Sequence, residues 1–96
     1  MNLPNLPDSV TVTLNVNQVP TEFLLIAERR ANGEVRYRGE ISFQEDGEVE
    51  TAVCDVIAGN DTAGRPNVRV ISIPHRIDHS IMEIGDKVAA RLGIAR

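Results

Sequence analysis

From Ser9 to Val16 the chain alternates, with Val10, Val12, Leu14 and Val16 on one side and Thr11, Thr13 and Asn15 on the other. A two-residue period belongs to a half-buried strand, which Gln18-Val19-Pro20 brings to an end. Residues 1–8, with two Pro and two Asn, read as an irregular lead-in. Toward the other end the period changes. Ile77, Ile81, Ile84, Val88 and Leu92 recur at spacings of four, three, four and four, which is one face of an α-helix. Ser80 and Glu83 form a capping box, in which each side chain takes up an orphan backbone N–H of the first turn. Gly93 supplies a residue able to adopt the left-handed conformation, and Arg91 lies near the negative helix end. The pattern predicts a helix over about 80–92.

The middle of the chain is read through its turns. Thr21–Ala31 has helix-forming composition, and Thr21 suits an N-cap, so residues 22–30 fit helix as well as strand. At helical spacing, however, Phe23 to Ala27 spread around most of the wheel instead of forming a stripe. The Asn32-Gly33 pair that follows is a strong hairpin signal and favours a strand. A two-residue turn there sets Glu28 opposite Tyr37, Ile26 opposite Gly39, Leu24 opposite Ile41 and Arg29 opposite Arg36. A second turn at Asp46-Gly47 sets Phe43 opposite Glu50, Ile41 opposite Ala52, Gly39 opposite Cys54, Tyr37 opposite Val56 and Arg38 opposite Asp55. The two registers agree on one apolar face made of Leu24, Ile26, Val35, Tyr37, Gly39, Ile41, Ala52, Cys54 and Val56.

Ala58–Asn67 reads as a loop and Val68–Ile73 as a last short strand, ended by Pro74. The fold expected is α+β: an antiparallel meander of four to five strands followed by one C-terminal helix. Its 96 residues make one small domain.

Composition narrows the possibilities. Phe23, Tyr37 and Phe43 are the only aromatics, so the core is aliphatic and stacking on unpaired bases has little to work with. The net charge of −4 works against sequence-independent binding to nucleic acid or anionic lipid. A single cysteine, Cys54, excludes an internal disulfide and a multi-cysteine metal site. Met1–Pro7 has neither the basic nor the apolar region of a signal peptide, and no run has the length of a membrane span, so the expected location is cytoplasmic.

Each chemical candidate meets a plain structural alternative. His75, His79 and Glu83 are spaced i, i+4, i+8, but eight residues of helix rise about 12 Å, too far for the two ends to share an ion. If Ser80 caps the helix, both His residues precede it; no metal or cofactor is expected. Arg29, Arg30, Arg36 and Arg38 cluster on the Asn32-Gly33 hairpin, where guanidinium forks suit carboxylate or phosphate groups, against a solvated face balanced by Glu28, Glu34, Glu40 and Asp55. The Gly59–Arg65 loop offers N–H groups to an anion but lacks the ending and following helix of a P-loop. Asn60-Asp61-Thr62 has the form of a glycosylation sequon, without meaning where no secretion signal is read. Cys54 beside Gly39 reads as a small core side chain. No catalytic residues are expected.

The opposite face of the sheet carries Phe23, Leu25, Ala27, Val49, Val53 and Ile57. One helix about 10 Å across cannot cover both faces of five strands spaced about 4.8 Å apart. The surplus must meet the lead-in, a curled sheet or another chain. The function expected is therefore a non-enzymatic protein-binding module, such as an inhibitor, an immunity-like protein or an accessory subunit. It would be a homodimer or bind a protein partner through Leu25, Val53, Ile57 and the arginines Arg29, Arg36 and Arg38. The competing expectation is a small-ligand or anion binder using the arginine hairpin or the Gly59–Arg65 loop. Least favoured is an enzyme in which His75 or His79 works across a dimer interface.

Overall fold

A computed structural model describes residues 5–73 and 77–95, with all side chains among them except those of Phe43 and Glu45. Five strands, β1 (Ser9–Val16), β2 (Val19–Arg29), β3 (Val35–Glu45), β4 (Glu48–Asn60) and β5 (Pro66–Ser72), precede one helix, α1 (Ile81–Leu92). The strands form a single antiparallel sheet in chain order. The fold is the α+β meander that the hydrophobic pattern predicts, with residues 22–30 in a strand.

β1 buries Val10, Val12, Leu14 and Val16, as its alternation requires. The hairpin to β2 is tighter than Gln18-Val19-Pro20 suggested. Asn17 and Gln18, at φ 50° and 66°, form a two-residue turn, and β2 starts at Val19 opposite Val16. This is the geometry that matches the twist of the strands, reached here without a glycine.

The β2–β3 register departs from expectation by one residue. Arg29 faces Val35, Glu28 faces Arg36, Ala27 faces Tyr37 and Ile26 faces Arg38. The cause is the turn. Gly33 N–H donates to the Arg30 carbonyl at 3.1 Å, Arg30 N–H donates to the Glu34 carbonyl at 2.8 Å, and only Gly33, at φ 89°, is left-handed. Ala31-Asn32-Gly33 is thus a three-residue loop with a glycine bulge, not a two-residue Asn-Gly turn. Asn32 holds it by accepting from Glu34 N–H at 3.0 Å. A one-residue slip exchanges the faces of a strand. Phe23 and Leu25 are consequently buried with Tyr37, while Leu24 and Ile26 are 56% and 52% exposed.

The β3–β4 register is as expected throughout, from Phe43 opposite Glu50 to Arg38 opposite Asp55. Asp46 and Gly47, at φ 51° and 82°, close it. A bulge between Asp55 and Val56 shifts the pairing with β5. α1 packs on both β1 and β5, the two outer strands of the sheet, so the sheet curls around it. Leu6 of the lead-in is buried in the same core, and Tyr37, itself buried, donates to the Pro7 carbonyl at 2.6 Å. Curling, the helix and the lead-in together cover one face, which takes most of the large apolar side chains, while Leu24, Ile26, Val49 and Ile71 of the sheet stay exposed.

Ser80 and Glu83 form the capping box. At the other end Ile94 N–H donates to the Ala89 carbonyl and Gly93 N–H to that of Ala90, a Schellman closure that folds Ile94 into the core. The buried stripe is Ile84, Gly85, Val88, Ala89 and Leu92. Ile81, expected on it, is 58% exposed beside Met82, so the apolar face starts one turn later than the spacing implied.

Candidate functional site

The residues singled out in the sequence do not converge. Leu25 is fully buried, so it belongs to the core and presents no surface to a partner. Ile57 is on the opposite, outer face but is also buried, flanked across the strands by Arg36 and Arg69. Val53 is half-buried on that outer face. The arginines separate as well. Arg29 faces Val35, not Arg36, which removes the expected like-charge pair, and it binds the Leu6 carbonyl at 2.6 Å and Asp8 at 3.1 Å. Arg36 grips Asp55 through two nitrogens, with Nε at 2.9 and 3.1 Å from the carboxylate oxygens. Asp55, 3% exposed, is the buried charge of the molecule among the described residues, and its hydrogen bond and charge raise the pKa of Arg36. Arg38 is exposed on the outer face.

The Gly59–Arg65 segment ends β4 and turns into β5. Its N–H groups are taken up internally: Asp61 accepts from Ala63 and Arg65, both at 2.9 Å. The hollow beside it is lined by Glu34, Asp61 and Arg69, the last already paired with Glu34 at 3.1 Å. Two carboxylates in the wall make a poor seat for an anion. Burial, with Asp55 adjacent, pushes the Cys54 thiol up to about 11, which keeps it protonated and unreactive at neutral pH.

His75 lies outside the described residues. His79 is fixed: its Nε2 accepts from Asn15 N–H at 3.0 Å, and its Nδ1 is 3.2 Å from Glu83. Asp78 accepts from Gln18 N–H at 2.7 Å. His79 and Asp78 thus fasten the helix entry to β1 and to the turn that follows it. Among the described residues no cluster of three or more His, Cys, Asp or Glu is arranged to hold a metal, and no helix is long and apolar enough to cross a membrane.

The feature that the sequence reading missed lies between β2 and β3. Their pairing stops at Ile26–Arg38, and β4 pairs with β5 only from Asp55 onward. Among the described residues, Gly39–Glu45 of β3 and Glu48–Cys54 of β4 therefore pair only with each other. Beyond the buried Gly39, Ala52 and Cys54 they form a two-stranded arm on a molecule 46 Å long and 22 by 18 Å across. Gly39 is where β3 still lies hard against β2 before the strands part. A Cβ there would lie 2.2 Å from the Leu24 carbonyl oxygen, so only glycine lets β3 pass so close to the β2 backbone. Where the strands part, a groove of about 570 Å³ opens, with Leu24, Ile26 and Ile41 as its apolar surface and Glu22, Glu28, Arg38 and Glu40 around it. Asn32-Gly33 fits a three-residue loop as well as a two-residue turn, and only the three-residue loop turns Leu24 and Ile26 outward.

No family model, curated protein or solved structure matches the chain.

Proposed function

We propose that the protein is a non-enzymatic protein-binding module, an inhibitor, immunity-like protein or accessory subunit, whose contact surface is the open edge of β3 and the groove beside it. The observation that carries this reading is the β3 edge over Glu40–Glu45, unpaired on that side among the described residues and lying next to the exposed Leu24 and Ile26. A strand edge with free N–H and C=O groups is a template for another strand, and natural sheets usually cover or blunt it. An isolated two-stranded ribbon is marginal in water, so a third strand would stabilise this arm as well as bind it. Main-chain pairing would supply affinity and the groove would supply selection, the usual division in recognition by strand addition.

Two groups that catalysis could draw on, among the described residues, are engaged elsewhere, which supports this reading. Cys54 is buried, and both ring nitrogens of His79 have partners. With its acidic balance, the working location we propose is the cytoplasm.

Photo-crosslinking in the native host tests the reading. A photoreactive residue at Ser42, on the open edge, should give a discrete heavier adduct identifiable by mass spectrometry, and one at Lys87, on the exposed helix side, should not. Leu24→Glu with Ile26→Glu should abolish the Ser42 adduct in a protein that still folds. Equal labelling from both sites, or a Ser42 adduct indifferent to the double variant, rejects this surface.

A further inference from the structure

Resting on the strand-addition reading, we propose that the occupant of the β2–β3 groove is an extended segment of a partner protein that alternates apolar and basic residues. Charge selects the occupant. Residues 39–54 contain Glu40, Glu45, Asp46, Glu48 and Glu50 and no Lys or Arg. Glu22 and Glu28 line the groove from the β2 side, facing Arg38 and Glu40 on β3. Arg38 is the single cation in that lining, and the three carboxylates outnumber it. A strand laid against β3 would place successive side chains on opposite faces. The core-facing set would meet Ile41, which packs against the core, and the outward set would meet Glu22 and Glu40, which share the outer face with Leu24 and Ile26. An alternating apolar and basic strand satisfies both sets, whereas an acidic strand adds like charge at every second position.

The same charge argues against a second copy pairing arm to arm. Two arms side by side would juxtapose two acidic ribbons with no base on either. Three of the described arginines are also engaged within the chain: Arg29, Arg36 and Arg69 are held in internal ion pairs with Asp8, Asp55 and Glu34.

The test uses the full chain, labelled for amide spectroscopy, and three octapeptide probes: alternating valine and lysine, alternating valine and glutamate, and the valine–lysine composition in two blocks. The alternating lysine peptide is expected to shift amides of Gly39–Gln44 and Leu24–Ile26, with affinity falling as salt rises. The glutamate and block peptides should bind about tenfold more weakly or not at all. Glu22→Lys with Glu40→Lys should reverse the preference between lysine and glutamate peptides; both sites are exposed, so the fold should survive, as an unchanged amide spectrum elsewhere would verify.

Equal binding of the block peptide reduces the effect to diffuse charge attraction and overturns the proposal. Preference for the glutamate peptide at the same amides overturns the charge assignment but leaves strand addition standing. Arm amides that shift on concentrating the protein alone make a second copy the occupant and overturn the proposal. If no probe shifts the arm while the Ser42 crosslink forms, the basic extended class is wrong and the interaction surface is right; if both fail, the surface itself is wrong.

Discussion

The backbone N–H of Asn15 donates to Nε2 of His79 at 3.0 Å, tying the outer edge of β1 to the entry of the helix. Beside it Asp78 N–H donates to the Asn15 carbonyl at 2.9 Å, and Val16 bridges to Ile77. Further along the strand Arg91 donates to the Thr11 carbonyl at 3.0 Å. An edge that would otherwise be open is thereby covered by the helix and its approach. His79→Ala leaves the Asn15 N–H, part-buried, without its acceptor. The expected cost is about 1–2 kcal/mol, read as a lower urea midpoint with little change in slope. A loss near zero would show that water replaces the imidazole.

The ring orientation has a consequence at low pH. With Nε2 accepting, the proton sits on Nδ1 and faces Glu83. That hydrogen bond first, and then those from Ser80, hold the Glu83 carboxyl below its ordinary value of 4.5. A depressed pKa in the folded state means stabilisation present above the ordinary value and lost as pH falls through the depressed one. Glu83→Gln should therefore lower stability at neutral pH and narrow its gap to the parent below about pH 4. Urea denaturation at pH 7 and pH 3 checks this. A gap that stays constant with pH would exclude a carboxylate contribution.

What could be read from the sequence divides at the turns. Asp46-Gly47 carries a two-residue turn, so the β3–β4 ladder follows from counting outward. Ser80, Glu83 and Gly93 likewise mark the helix ends by local hydrogen bonding alone. Asn32-Gly33 carries the same dipeptide signal but belongs to a three-residue loop, and that choice depends on how the whole sheet curls. One residue of slip moved Leu25 into the core and Leu24 out of it. The burial of Ile57 and the parting of β2 from β3 at Gly39 are tertiary outcomes as well, which no local pattern encodes.

Gly39 is the sharpest local constraint on the arm. The space for a Cβ is filled by Leu24 backbone, which cannot swing aside as a side chain can. Gly39→Ala should cost about 2–3 kcal/mol, near the upper end for overpacking. Gly33→Ala is the matched comparison, because nothing lies within 4 Å of a Cβ there and only the positive φ opposes it. Chemical denaturation should rank Gly39→Ala as the worse of the two. The reverse order would mean that β2 and β3 can separate at little cost.

The Arg36–Asp55 pair predicts an asymmetry. Asp55 is 3% exposed, whereas the Arg36 side chain is about one-third exposed. Removing the arginine leaves a buried carboxylate without its partner, while removing the aspartate leaves a guanidinium that can reach water. Arg36→Met should be the more destabilising single change, because it leaves the buried carboxylate without its partner. Asp55→Asn should cost less, and adding it to Arg36→Met should recover part of the loss. A double-mutant cycle measures the coupling. Equal single losses with no recovery would show that Asp55 is not held as a buried charge.

Leu24 and Leu25 are neighbours of identical chemistry, so they isolate the β2 register from every other variable. In the observed register Leu25 is fully buried among the core side chains and Leu24 is 56% exposed at the groove. Leu25→Ala removes buried methylene groups and leaves a cavity, for which the expected loss is about 2–4 kcal/mol. Leu24→Ala removes groups that water already reaches, and the expected change is within about 0.5 kcal/mol. The register implied by a two-residue Asn32-Gly33 turn demands the opposite ranking, since it buries Leu24 beside Ile41 and exposes Leu25. Urea unfolding of the two variants therefore separates the registers directly. The same pair distinguishes stability from recognition: Leu24→Ala should retain the parent's unfolding midpoint while weakening the Ser42 crosslink. Leu25→Ala should lower the midpoint and leave the crosslink intact wherever the variant remains folded. If Leu24→Ala proves the more destabilising, the groove is part of the core, and neither its apolar surface nor the open β3 edge is available to a partner.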